Sequence, residues 1–114
     1  MHELGIVFYI IDECKKVAAE NDVKHIRSVT VEIGEVSGVI PSYFKDVWKW
    51  AVNREELTHD CELKLIILQG ISYCETCGKT LPTVEYGKKC PHCGSDKTYL
   101  VTGQETSIKE MEVD

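Results

Sequence analysis

The sequence predicts an α+β fold: a small mixed sheet with two helices, interrupted by an inserted module that four cysteines hold together. Three observations carry this prediction. Apolar residues recur at helical spacing over 4–20, they alternate at strand spacing over 27–36 and 62–68, and two Cys-x-x-Cys pairs stand in a Gly-, Pro- and Lys-rich stretch at 71–100. The chain has 114 residues, 43% hydrophobic and 28% charged, enough for one compact core with a small appendage.

The first element is a helix over 4 to about 20. Leu4, Val7, Phe8, Ile11, Cys14 and Ala18 recur at three- and four-residue steps, while Asp12, Glu13, Lys16 and Glu20 fill the wetter side. Cys14 on the apolar stripe reads as a small core residue. Asn21-Asp22 breaks the pattern. Over 27–36, Val29, Val31 and Ile33 face one way and Ser28, Thr30 and Glu32 the other, which predicts a half-buried strand ended by Gly34. A loop, Ser37-Gly38-Val39, leads to Ile40-Pro41, and proline suits the first turn of a second helix. Phe44, Val47, Trp48 and Ala51 mark its inner face, with Trp48 and Trp50 read as packing residues. Glu62–Leu68 is a strand, apolar on both faces toward its end, which predicts a central position in the sheet. The segment 105–113 is extended, with Ile108, Met111 and Val113 apolar, and is expected to return to the first sheet.

Gly70 marks a change of composition, so the expected organisation is an αβ unit of 1–70 with 101–114 and an inserted module at 71–100. The module reads Cys74-Glu75-Thr76-Cys77-Gly78, then Cys90-Pro91-His92-Cys93-Gly94, with twelve residues (78–89) between the two cysteine pairs. Two residues between cysteines let both sulfurs of a tight turn face one ion, and the following glycine permits the positive φ of such knuckles. Two facing knuckles make a tetrahedral four-sulfur site, zinc-ribbon-like or rubredoxin-like, with zinc the expected ion and iron the alternative. Thr80–Lys89 is long enough for two short strands and a turn. Such a site is closed, so its expected role is to support folding rather than catalysis. His92 is expected to be exposed and unligated.

The opening residues Met1, His2 and Glu3 place an imidazole one peptide bond from an amino group. Amine, His2 backbone nitrogen and His2 ring form fused chelate rings whose planar nitrogen donors suit Ni(II) or Cu(II). Methionine ahead of histidine is expected to be retained.

Composition narrows the partners. The net charge is −6, a poor match for nucleic acid or an anionic membrane. Within 71–100, four lysines stand against three acids, and a zinc–thiolate cluster would add −2, so no basic face forms. A zinc-ribbon module acting on nucleic acid, in transcription or translation, is nonetheless the alternative reading. A hydrolase is disfavoured because His2, His25, His59 and His92 lie far apart and lack the spacing of a helical catalytic site. No apolar run reaches the 18 or so residues of a membrane span, and Glu3 with no basic segment before it argues against a secretory signal. A cytoplasmic location is expected.

With the opening tripeptide, the helix after it, the strand ending Ile33-Gly34-Glu35 and the two knuckles, the chain resembles the HypA/HybF family of nickel metallochaperones, which help mature nickel–iron hydrogenase. The resemblance covers essentially all 114 residues in order. It implies a non-enzymatic protein whose αβ domain takes nickel through His2, with Glu3 taking part at least through its backbone, beside the Met1 amine already read from the opening residues. It implies structural zinc at Cys74, Cys77, Cys90 and Cys93. It implies as partners a nickel-binding GTPase and the hydrogenase large-subunit precursor, with urease served in some members. Monomer and homodimer both stay open, since an exposed edge strand or a swapped module would yield dimers. Certain relatives carry a carboxylate where this chain has Val39-Ile40, so no side-chain ligand is expected from that loop.

Overall fold

The structure, a computed structural model, describes residues 3–114. Its elements are α1 (Glu3–Glu20), β1 (Ile26–Gly34), α2 (Pro41–Val52), β2 (Glu62–Leu68), β3 (Ile71–Cys74), β4 (Thr80–Pro82), α3 (Thr83–Tyr86), β5 (Thr98–Thr102) and β6 (Thr106–Val113). They form one three-stranded sheet in the order β2-β1-β6 and another in the order β4-β3-β5. The chain divides into two compact units, one of residues 1–32, 39–66 and 107–114, the other of 33–38 and 67–106.

In the first unit, α1 buries Glu3, Val7, Ile10, Ile11, Cys14 and Ala18. Leu4, expected on this stripe, is 50% exposed. One residue turns a helix by about 100°, so placing Glu3 inward rotates Leu4 toward solvent. Pro41 occupies the first turn of α2, which buries Phe44, Trp48, Ala51 and Val52. Trp48 Nε1 donates to Cys61 O at 3.0 Å, and Thr58 Oγ1 donates to Val52 O at 2.8 Å, so buried polar atoms tie the following loop to the helix. Trp50, expected to pack, is 57% exposed. It meets the Phe8 ring edge-on at 6.1 Å, and Arg54 lies over both rings at 5.1 and 5.7 Å.

The sheet is mixed. Gly34 N donates to Glu105 O (2.7 Å) and Asp114 N to His25 O (3.1 Å), which makes β1 and β6 antiparallel. Ile26 N donates to Leu57 O (2.8 Å), just before β2, and Glu35 N to Leu68 O (2.7 Å), at its end, which makes β1 and β2 parallel. The central strand is therefore β1, and β2 is an edge, contrary to the position expected from its apolar run. Ile66 and Ile67 are 36% and 47% exposed, so two-sided apolar character here reflects exposure and not a central position. Central placement also buries both faces of β1, including Ser28 and Thr30. Glu112 of β6 accepts from Ser28 Oγ at 2.5 Å and from Lys64 Nζ of β2 at 2.6 Å, linking all three strands. Lys64 foremost, then the Ser28 hydroxyl and Arg27, hold the Glu112 carboxyl down at about 2.

In the second unit, β3 pairs antiparallel with both β4 and β5. Thr83–Tyr86 forms a helical turn in place of the second strand expected before Lys89, and Gly87 ends it at φ 61°. Segment 34–36 crosses the chain leading out of β5 at very close range: a Cβ on Gly34 would lie 1.9 Å from Gly103 O. Val36 N donates to Gly103 O at 2.9 Å, and Gly70 N to Glu35 Oε1 at 3.3 Å. Gly103, at φ 112°, adopts backbone geometry that side chains disfavour.

Candidate metal centre

Two local motifs build the cysteine site, and they repeat each other's geometry. In the first, Cys74 N donates to Lys79 O (2.9 Å) and Gly78 N to Cys74 O (2.9 Å). In the second, Cys90 N donates to Ser95 O (2.9 Å) and Gly94 N to Cys90 O (2.8 Å). Gly78 and Gly94 have φ of 75° and 78°, the left-handed geometry that closes each turn under its sulfurs. Thr76 Oγ1 and Ser95 Oγ, 2.8 Å apart, join the two knuckles.

The four sulfurs converge. Cys74 Sγ lies 3.6 Å from Cys93 Sγ, Cys77 Sγ lies 3.6 Å from Cys90 Sγ, and all four lie within 4.8 Å of one another. Sulfurs about 2.3 Å from a tetrahedral ion would be separated by about 3.8 Å, so this quartet has the size of a closed four-thiolate site. It is the one group of three or more potential side-chain ligands among the described residues. Cys74 and Cys90 are buried, while Cys77 and Cys93 face solvent. His92, between Cys90 and Cys93, contributes a backbone N–H to Cys90 Sγ (3.4 Å), and the residue is exposed.

Electrostatics favour a cation at the centre. Backbone N–H groups, that of Cys77 first, hold the Cys74 thiol down at about 7. The Ser95 N–H acts likewise on Cys93, but burial and the neighbouring sulfurs outweigh it and push Cys93 up to about 12. Cys74 therefore forms a thiolate readily while Cys93 is held back by its neighbours, and a divalent ion among the sulfurs would favour deprotonation of both. The other two cysteines are not donors of this kind. Burial raises Cys14 to about 11 and Cys61 to about 12, as expected of inert core thiols.

Of the N-terminal residues singled out from the sequence, Met1 and His2 lie outside the described residues. Glu3 opens α1 and is 1% exposed. Its Oε2 accepts from Ile40 N at 3.1 Å. That buried bond was not foreseen; an acid in the first turn of a helix was the available signal. The Val39–Ile40 loop offers a backbone donor there, and the Ile40 side chain is exposed.

The family model described as "Hydrogenase/urease nickel incorporation, metallochaperone, hypA" matches residues 1–113. The chain belongs to the HypA family. It is thus a member of a metallochaperone family and not of an enzyme family. It is 33% identical over 114 residues to a hydrogenase maturation factor HypA of Geobacter metallireducens, the match covering all of both chains. It is 32% identical over 117 residues to that of Chlorobium phaeobacteroides, again across both full chains. The fold matches the solution structure of the Ni metallochaperone HypA from Helicobacter pylori with a TM-score of 0.73 at 24% identity, covering 99% of this chain and 97% of that one. A second HypA solution structure matches with a TM-score of 0.73 at 25% identity, over 99% and 96% of the two chains. The HypA match spans both cysteine knuckles.

Proposed function

We propose that this HypA-family chain carries Ni(II) at its N-terminus and hands it on during maturation of nickel–iron hydrogenase, while Cys74, Cys77, Cys90 and Cys93 hold structural zinc. The carrying observation is the closure of the sulfur quartet, whose atoms all lie within 4.8 Å of one another. An ion inside four thiolates has no open position through which a recipient's ligand can enter. Transferable cargo therefore needs another donor set, and the Met1-His2-Glu3 opening supplies nitrogen donors suited to nickel. His2 provides imidazole and backbone nitrogen, Met1 the amine, and Glu3 its backbone.

A site at the chain's beginning suits transfer, since a recipient can displace donors one at a time. Protons compete for the same atoms: reference values are about 6.5 for imidazole and about 7.7–8.0 for the amine, so nickel occupancy falls as pH drops through that range. The αβ part (1–70 with 101–114) would bear nickel and the module (71–100) zinc. The partners are a nickel-binding GTPase and the hydrogenase large-subunit precursor, with a urease apoprotein as a further recipient. A chain of net charge −6 fits protein partners better than nucleic acid. Among the described residues no helix is long and apolar enough to cross a membrane, in keeping with a cytoplasmic role.

The test is complementation in a host lacking its own nickel chaperone and grown at limiting nickel. The wild-type chain should restore hydrogenase activity and His2→Ala should not, whereas added nickel should rescue His2→Ala. Full complementation by His2→Ala at limiting nickel would refute the proposal.

A further inference from the structure

We propose that the Glu3 carboxylate is a positioning group: it fixes the nickel-bearing N-terminus by capping the start of α2, and it does not coordinate the ion. The inference rests on the N-terminal nickel reading above and assigns one side chain within it. Glu3 follows His2 directly and begins α1, yet its side chain is turned inward and 1% exposed. Oε2 accepts from the backbone N–H of Ile40 at 3.1 Å.

Ile40 is the N-cap of α2, with extended backbone (φ −92°, ψ 112°), and its carbonyl accepts from Phe44 N at 2.9 Å. No side chain from the cap itself bonds the helix start, and Pro41 has no N–H to offer. The Glu3 side chain, placed in the first turn of α1, thus bonds the start of α2, where helix N–H groups carry partial positive charge. Drawing it out to a metal would deprive the Ile40 N–H of its buried acceptor. The Val39–Ile40 loop accordingly contributes a backbone donor to the architecture of the site, in a chain that has no carboxylate there. The residue that follows His2 in the chain is thereby fixed.

The test uses the zinc-loaded full chain without an added N-terminal sequence, reading nickel affinity and the ligand-field absorption of the bound ion. Ile40→Pro deletes the N–H and leaves Glu3 untouched. It should weaken nickel binding about tenfold or more, the usual loss when a group orienting a metal ligand is removed. Glu3→Ala should weaken it similarly, the double variant should be no worse than either single one, and Glu3→Gln, which keeps an oxygen acceptor, should recover affinity with the wild-type spectrum. Wild-type affinity in Ile40→Pro, or a changed spectrum in Glu3→Gln, would overturn the proposal. If Ile40→Pro fails to fold, the wild-type protein decides: amide exchange is run with nickel bound, nickel is stripped, and the Ile40 amide is read. Protection equal to that of the nickel-free protein supports capping, and loss of protection on nickel loading refutes it. Failure of the underlying reading is separately visible as equal nickel affinity in wild type and His2→Ala.

Discussion

Removing the metal from the sulfur quartet should unfold the cysteine module and leave the αβ unit standing. The module's own core is small: its buried apolar cluster is Cys74, Leu81 and Cys90, so two of its three members belong to the sulfur quartet. Leu81 is the one remaining buried hydrophobic side chain of the cluster, and full burial of a leucine stabilises by roughly 1.5–3 kcal/mol. Structural zinc in comparable sites contributes about 10–16 kcal/mol at neutral pH. The ion therefore supplies several times what the apolar contacts of the cluster can, and nothing else in the cluster replaces it. The αβ unit draws on a larger set of buried residues, including Val7, Ile10, Ile26, Val29, Phe44 and Trp48. The assay is amide hydrogen exchange before and after chelation under reducing conditions. Amides of β3, β4 and β5 should lose protection, while those of α1, β1 and α2 keep it. Retained protection across β3–β5 after complete metal removal, or in Cys90→Ser, would refute the reasoning.

Other expectations follow from particular contacts. Gly34→Ala should destabilise by about 3 kcal/mol, the upper end of overpacking costs, because its new Cβ would meet backbone atoms of Gly103 at 1.9 and 2.1 Å; a denaturant midpoint equal to wild type would contradict this. Glu112 is held at about 2, below its ordinary 4.5, so its contribution is complete above pH 4.5 and is lost as pH falls from there toward 2. Melting temperatures across that window should drop more steeply for wild type than for Glu112→Gln. His25 is raised above 6.5 because the His59 carbonyl and the Asp114 carboxylate, at 2.8 and 2.6 Å, both prefer the protonated ring. Its contribution is present below pH 6.5 and lost as pH rises through the folded value, a slope that His25→Ala should abolish. Cys14 and Cys61, buried and raised to about 11 and 12, should resist alkylation in the folded protein at pH 7.5; rapid labelling of either would show that the core opens readily.

Much of the architecture was legible because periodicity reports which face is buried. Val29, Val31 and Ile33 identified β1, and Phe44, Trp48 and Ala51 identified the inner face of α2, since each set recurs at one element's spacing. The cysteine quartet was legible from spacing alone, because a two-residue gap closed by glycine admits few geometries. Placement within the sheet was not. The run Leu65–Leu68 looks central, but whether an apolar strand is flanked on both sides depends on where distant segments return, and β6 returned to β1. The buried bond of the Glu3 side chain was not legible for a related reason: its donor, the Ile40 N–H, stands 37 residues away in the chain. Trp50 shows the converse, an aromatic that solvent and Arg54 share.

The central claim is that cargo and structural ion occupy different donors. Equilibrium nickel titration of zinc-loaded, untagged wild type and His2→Ala, with metal content counted per chain, tests it most directly. Wild type should hold one zinc and acquire one nickel reversibly, with no sulfur-to-nickel charge-transfer band, while His2→Ala keeps its zinc and loses the nickel. Nickel binding that displaces zinc, displays thiolate charge transfer and is indifferent to His2→Ala would contradict the claim.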